Sequence, residues 1–429
     1  MAMENVVVAF VFAARNSPLL YFTDWSYSTY LLLHRWLGYW VIIHTVLHSV
    51  MLLVYYKVFG SYKEEIICPY WIWGIVGTVA VVALLPTSLL VVRQRLYELF
   101  LASHVVLSLL FIIGYYYHIW YCYGYNWGYE VWMFIAGGIW GAERVSRLAR
   151  MVFKGRHTAT VKLVEGTDGE YIRIDIGGVH LRGVACLCFP TLGWRLWENH
   201  PFSVALSNTK GGVKVAEKPR PAAHNAFPEK SAKESAGEIC DLSTQAAVVL
   251  EGTRATGSTF FARTRTGITA QLAARATAAS RDSTVRLRVL IDGSYHPSTN
   301  SQLAYCTAIL CIAGGVGITA VLPYLDKVRS PRRGQLYWAT RKAGLVNALK
   351  PELDALSDVR VETELGRRLD LDAILRKELT WSNPDEGPLG IIVCGPAGMA
   401  DDVRQNAARL TREGHTRRPW ALVDEAFSW

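Results

Sequence analysis

"HRWLGYWVIIHTVLH" fills residues 34–48 and "HVVLSLLFIIGYYYH" fills residues 104–118, so two apolar stretches each carry a histidine at both ends, fourteen positions apart. In an α-helix of about 3.6 residues per turn, that spacing falls about 40° short of four full turns and climbs about 21 Å. Both histidines of one stretch therefore face nearly the same way at two depths. Histidine is costly in so apolar a setting, and a matched set of four asks for a shared ligand.

The surrounding segments are long enough to span a bilayer, which takes about 20 apolar residues. "WLGYWVIIHTVLHSVMLLVYY" (36–56), "IICPYWIWGIVGTVAVVALLPTSLLVV" (66–92) and "LFLASHVVLSLLFIIGYYYHIWY" (99–121) contain no Asp, Glu, Lys or Arg. A weaker fourth candidate runs from about 127 to 148, with aromatic residues at its start as in an interface belt. The expected spans lie near 34–57, 66–92, 98–121 and 127–148. Arg93 and Arg95 separate the second and third, and Arg144, Arg147, Arg150, Lys154 and Arg156 follow the fourth. The positive-inside rule then puts these segments in the cytosol, so the two histidine-bearing spans run in the same direction. His34 shares a depth with His104, and His48 with His118. Facing imidazoles at one depth can ligate a haem iron from both sides, so the pattern points to two stacked haems. Helix-packing contacts are the competing account of intramembrane histidines, and the matched spacing disfavours them. His44 lies one turn before His48 and meets Gly114 at the equivalent position of the other span, so a packing role is expected for it.

The rest of the 429-residue chain reads as soluble protein. The formal charge of +9 is spread between span flanks and soluble segments without a single basic stripe, which argues against a nucleic-acid partner. Eight cysteines occur without a CxxC pair, so a zinc ribbon or thioredoxin-type motif is unsupported. "MAMENVVVAFVFAARN" lacks a basic start and is too short to span, so it reads as the remnant of a longer helix rather than a signal peptide. Cys68 and Cys122 fall on the predicted outer side, where a disulfide between them is expected.

From about 157 the rhythm alternates. In "YIRIDIGG" Ile172, Ile174 and Ile176 interleave with Arg173 and Asp175, the pattern of a half-buried strand. "TATVKLV", "GVACLCF", "STFFART" and "VRLRVLIDG" add further strands, and together they predict a small antiparallel barrel. Residues from about 208 to 246 are polar, carry Pro, Gly and Ala, are poor in aliphatics, and read as a flexible insertion. Beyond 303 the pattern becomes strand, glycine turn, helix. Gly314, Gly315 and Gly317 would let backbone approach a pyrophosphate at a helix N-terminus. "PLGIIVCGPAGMADDVRQNAARL" repeats the logic with Gly395 and Pro396 in the turn. Arg341 and Lys342, at the end of another strand in "GQLYWATRKAG", are well placed to receive an acidic ribose phosphate.

Jointly these motifs resemble the ferric reductase/NADPH oxidase superfamily, and most closely its fungal-type ferric-chelate reductases, over nearly the whole chain. "LLLHRWLGYW" and the 104–118 pair are similar to that family's haem helices, making His34, His48, His104 and His118 the implied iron ligands. "RLWENHPFSVA" (195–205) resembles its FAD signature, which implies flavin contacts from His200, Pro201, Phe202 and Ser203. "RTRTGITAQL" (263–272) resembles its second flavin element, implying Arg265, Gly267 and Thr269 near the pyrophosphate. "GGVGIT" and "CGPAGM" are similar to its NADPH-binding segments, implying contacts from Gly314, Gly315, Gly317, Thr319, Gly395 and Pro396, with Cys394 near the nicotinamide. "EAFSW" resembles its aromatic terminus, with Trp429 shielding the flavin.

The expected architecture is a transmembrane haem domain over 1–150, an FAD β-barrel of ferredoxin-reductase type over 157–300, and an α/β NADP domain over 301–429. Two departures stand out. The family has six or more membrane helices against four and a fragment here, which reads as an N-terminal truncation. "DGSYH" (292–296) also lacks the glycine that often follows its tyrosine. The resemblance implies a plasma-membrane protein with cytosolic FAD and NADP domains. Electrons would pass from NADPH through FAD and two b-type haems to ferric or cupric chelates outside, with an iron permease or oxidase as partner. A superoxide-forming oxidase and a truncated nonenzymatic paralogue are the rival readings.

Overall fold

The computed structural model describes residues 2–15, 17, 19–23, 25, 27–124, 128–192, 200–208, 257–279, 284–295, 301–326, 328, 333–356, 358–380, 387–396, 398–414 and 418–425. The expected insertion, apart from Asn208 at a strand end, and Trp429 lie outside them.

Among the described residues eight helices come first: α1 (Ala2–Ala13), α2 (Leu19–Thr23), α3 (Tyr27–Val58), α4 (Tyr62–Glu65), α5 (Pro69–Thr87), α6 (Leu90–Arg95), α7 (Tyr97–Tyr123) and α8 (Val131–Lys154). Among the described residues α3, α5 and α7 are long and apolar enough to cross a membrane. At 32 residues α3 is about 48 Å long, more than the hydrocarbon thickness of about 30 Å. The second half of α8 carries Glu143, Arg144, Arg147 and Arg150, which sets it apart from those three. Pro69 opens α5, where its missing N–H would have had no helical partner anyway. Val6, Val41, Ala80, Val81, Phe111, Met133 and Ala136 bring α1, α3, α5, α7 and α8 to one apolar core.

Six antiparallel strands then close into the expected barrel, in the order β1-β2-β5-β4-β3-β6. They are β1 (His157–Leu163), β2 (Tyr171–Gly177), β3 (Val184–Cys188), β4 (His200–Asn208), β5 (Gly257–Arg263) and β6 (Thr284–Tyr295), with α9 (Ile268–Ala278) packed at one end. Ile172, Ile174 and Ile176 are buried inside it. Arg173 and Asp175 pair outside at 2.9 Å. One residue type per face is what a two-residue repeat dictates.

The last third is a parallel five-stranded sheet in the order β11-β10-β7-β8-β9. Its strands are β7 (Ala308–Gly314), β8 (Arg333–Thr340), β9 (Val359–Leu365), β10 (Leu389–Cys394) and β11 (Trp420–Asp424). Its helices are α10 (Ser301–Ala304), α11 (Ile318–Leu325), α12 (Ala343–Asp354), α13 (Leu371–Leu379) and α14 (Met399–Arg412). Strand order reverses between β7 and β10. The carboxyl ends of those two strands form the crevice where open α/β sheets bind ligands.

Candidate functional site

The bundle brings the four end histidines together in two pairs. The ring centres of His34 and His104 lie 6.1 Å apart, and those of His48 and His118 6.2 Å apart. An imidazole nitrogen binds a transition metal at about 2 Å, so two rings on opposite sides of one ion have centres about 6 Å apart. The spacing fits a bis-histidine iron. Among the described residues no three His, Cys, Asp or Glu side chains converge on a metal-sized site. Two protein ligands per ion leave four positions, the number a porphyrin supplies.

The outward ring nitrogens are also held. His34 Nδ1 donates to the Ala9 carbonyl at 2.9 Å, and His118 Nδ1 to the Tyr70 carbonyl at 2.8 Å. A carbonyl only accepts, so the proton sits on Nδ1 and the Nε2 lone pair is left for a metal. His104 Nδ1 lies 3.4 Å from Ser88 Oγ. His44 takes no part in either pair. Asn5 Nδ2 donates to its Nδ1 at 3.5 Å and its ring lies against Trp40. Its counterpart Gly114 sits where α7 meets Gly77 of α5.

A second constellation lies between barrel and sheet. The two glycine turns face each other across the crevice at the β7 and β10 ends. A Cβ on Gly314 would lie 2.6 Å from Pro396 Cδ and 3.3 Å from Gly395 Cα, and one on Gly317 would overlap the Cys394 carbonyl. Gly315 takes φ +55°, a left-handed conformation suited to glycine. Its carbonyl accepts from Trp338 Nε1 at 2.9 Å. Thr319 is buried and its hydroxyl donates to the Val316 carbonyl at 2.9 Å, so it braces the turn. Arg341 is exposed at the end of β8. Lys342 beside it is tied to Asp168 of the barrel at 2.7 Å.

On the barrel side, alternation sorts the expected flavin contacts. Phe202 is buried within the barrel against Phe260, while Ser203 faces outward. Ser203 lines a narrow crevice with Gly183, Val184, Ala320, Pro323 and Glu425. Its hydroxyl is buried with no hydrogen-bond partner among the described residues, an orphan a bound ligand could satisfy. His200 and Pro201 pair with Leu187 and Cys186 of β3. Gly267, at φ +77°, precedes α9, and Thr269 Oγ1 accepts from the Arg265 backbone N–H at 3.0 Å. Those residues gather at a helix N-terminus, which suits a pyrophosphate. The residues present thus fit an FAD and a nicotinamide dinucleotide.

Cys394 is buried, and burial pushes its thiol up to about 12, so it is a neutral thiol. Its Sγ–H donates to the Glu425 carbonyl at 3.3 Å. Cys68 and Cys122 are free thiols, against the expected disulfide.

Glu425 escaped the sequence reading, which weighed only the aromatic residue in "EAFSW". Burial, reinforced by Asp424, pushes its carboxyl up to about 7, although Tyr324 donates a hydrogen bond to it. The native value lies above the ordinary one. Between 4.5 and about 7 the unfolded chain therefore gives up a proton that the native chain keeps, and stability falls as pH rises through that window. Glu425→Gln should remove this slope, stabilising the full chain by up to about 3 kcal/mol at about pH 8 and not at about pH 4. Thermal unfolding at both values checks it, and equal shifts would refute it.

Residues 1–115 match the family model described as ferric reductase like transmembrane component. The chain is 25% identical over 368 residues to a probable ferric reductase transmembrane component of Candida albicans, covering 83% of this chain and 46% of that protein. It is 22% identical over 477 residues to ferric reductase transmembrane component 6 of Saccharomyces cerevisiae, covering 100% of this chain and 59% of that protein. The chain spans about half the length of these relatives. Among solved structures, phthalate dioxygenase reductase is 12% identical with a TM-score of 0.35, covering 64% of this chain and 69% of that one. A flavohemoglobin from Malassezia yamatoensis is 12% identical with a TM-score of 0.38, covering 99% of this chain and 95% of that one.

Proposed function

We propose, on the premise that this chain belongs to the fungal-type ferric reductase family, that it carries electrons across a membrane and reduces ferric chelates, with cupric chelates as a second substrate. The observation that carries this reading is the pair of facing imidazole couples at 6.1 and 6.2 Å. When bound, NADPH supplies a hydride, FAD divides the electron pair, and two b-type haems take electrons singly.

His34 and His104 hold the inner haem, and His48 and His118 the outer. The Ala9 and Tyr70 carbonyls fix the tautomer of one ligand in each pair. The α9 N-terminus with Arg265, Gly267 and Thr269 receives the FAD pyrophosphate, and Ser203 donates toward the flavin. Gly314, Gly315, Gly317, Gly395 and Pro396 let the dinucleotide approach, and Arg341 meets its ribose phosphate. Cys394 stands at the nicotinamide as a neutral thiol, packing against it without attacking it. Trp429 lies outside the described residues, and its flavin-shielding role is what the family resemblance implies. The barrel and α/β domain are cytosolic, the membrane is the plasma membrane, and an iron permease or oxidase is the partner on the far side.

The full chain, purified after haem supplementation, is expected to give a reduced-minus-oxidised spectrum with the sharp band of bis-histidine haem. NADPH should drive ferrous-chelate formation faster than superoxide formation. Superoxide as the main product would make the chain an oxidase. A haem-free protein would leave a nonenzymatic paralogue and end the relay.

A further inference from the structure

We propose that Gly74 is a positioning residue for the outer haem ligand His118, acting by leaving the Tyr70 carbonyl uncovered. This inference rests on the haem relay proposed above. Side chains on an α-helix lean toward its N-terminus, so the residue at i+4 roofs the carbonyl of residue i. Gly74 stands at i+4 from Tyr70 and has no side chain to place there. The His118 ring fills that space. A Cβ on Gly74 would lie 2.8 Å from His118 Nδ1, 3.2 Å from Cε1 and 3.7 Å from Cγ. Through this window Nδ1 donates to the Tyr70 carbonyl at 2.8 Å.

The consequence is a fixed ring. With Nδ1 pinned to α5, the His118 Nε2 lone pair is directed away from that helix, and His48 lies opposite with its ring centre 6.2 Å from that of His118. A ligand histidine held by a carbonyl at its other nitrogen is more basic and keeps one orientation. A methyl group at 74 would press on the imidazole itself, and the ring could retreat only by giving up the carbonyl. The inner pair is approached differently. His34 reaches the Ala9 carbonyl at 2.9 Å although Ala13 stands at i+4, so a methyl group there does not by itself close a carbonyl. It is the approach of the His118 ring to within 2.8 Å of a Cβ at position 74 that calls for glycine in the outer pair. The window is therefore particular to the outer haem. Gly137, on α8 and away from both histidine pairs, has nothing within 4 Å of a built Cβ and serves as the control.

The test compares wild type, Gly74→Ala and Gly137→Ala as full-length, haem-supplemented protein. Haem per chain is measured by pyridine haemochrome, and ligation by low-temperature electron paramagnetic resonance. Gly137→Ala is expected to keep both low-spin haems. Gly74→Ala is expected either to drop from two haems to one or to convert one low-spin signal while the other is unchanged. A thermal double-mutant cycle adds a readout that does not need activity: Gly74→Ala should lower the unfolding temperature in the wild-type background and leave it unchanged or raise it with His118→Ala, where alanine's helix propensity is no longer opposed by the ring. Two unaltered haems in Gly74→Ala, loss of both haems, or equal thermal effects in the two backgrounds would each overturn the proposal. A wild-type chain without haem would instead overturn the relay, so the two failures are distinguishable.

Discussion

Leucine in place of Gly114 is expected to abolish haem loading. A Cβ at 114 would lie 2.8 Å from Gly77 N, 2.9 Å from Gly77 Cα and 3.2 Å from the Trp73 carbonyl. All three are backbone atoms of α5, so no rotamer change relieves the overlap and the two helices must separate. Close approach of membrane helices depends on small residues at the crossing. Overpacking typically costs about 1–3 kcal/mol, and a clash with unyielding backbone belongs at the top of that range or above it. The damage reaches the site because His118 lies one turn beyond Gly114 on α7 and donates its hydrogen bond to the Tyr70 carbonyl of α5. The reverse substitution is expected to be mild. A Cβ on Gly77 would meet nothing nearer than 3.6 Å, an ordinary contact. Haem content should therefore fall in the order wild type, Gly77→Ala, Gly114→Ala, Gly114→Leu, with little loss at the first step and no haem at the last. A Gly114→Leu chain with both haems would show that the crossing does not hold the ligands.

The histidine pairs were legible in sequence because the bilayer leaves few options. An ionisable group in an apolar span needs a partner at its own depth, and helix geometry reads that depth directly from residue number. The barrel was legible in "YIRIDIGG" for a similar reason, since alternation every two residues separates the buried isoleucines from the Arg173–Asp175 pair. The two glycine turns were visible individually, but their meeting was not. It depends on the order of β10, β7 and β8 in the sheet, which local pattern does not encode. The same limit hid what Lys342 does. It looked like half of a phosphate site beside Arg341, yet a carboxylate 174 residues away in the chain holds it. Burial of Glu425 is likewise a product of assembly: Tyr324 on α11 reaches across to a segment that in sequence is only a polar residue near the chain's end. Phe202 and Ser203 were read alike as flavin contacts, and only the strand register sends one into the barrel and the other toward the sheet.

The arginines of α8 carry this lesson into the second large effect. Read as sequence they report orientation, positive charges left on the cytosolic side. In the fold, Arg147 Nε and Arg150 Nη2 each donate to Asp292 at 2.9 Å, and Tyr295 OH donates to the same carboxylate at 3.0 Å. Asp292 is wholly buried. The network joins the last helix of the bundle to β6, so it ties the barrel to the membrane part. Removing one member of a wholly buried ionic cluster costs about 3–5 kcal/mol, and the cost here falls below that range because Arg147 keeps Glu143 at 3.8 Å and the Arg150 side chain is 34% exposed. Asp292→Ala leaves two guanidinium groups without that shared acceptor. It is expected to loosen the seam, and to slow flavin-to-haem electron transfer by at least about tenfold, the rate equivalent of about 1.4 kcal/mol. NADPH-driven reduction of a soluble dye, which takes electrons at the flavin, should persist, because the crevice between β7 and β10 is untouched. Stopped-flow recording of haem reduction beside steady-state dye reduction separates the two. Replacing all three charges together, Asp292→Leu with Arg147→Leu and Arg150→Leu, is expected to recover most of the lost stability, since an apolar set removes the unpaired charges as well as the pairing. Haem reduction at the wild-type rate in Asp292→Ala would mean that the barrel is seated by other contacts. A parallel loss of dye reduction would mean that the carboxylate supports the barrel itself rather than its docking.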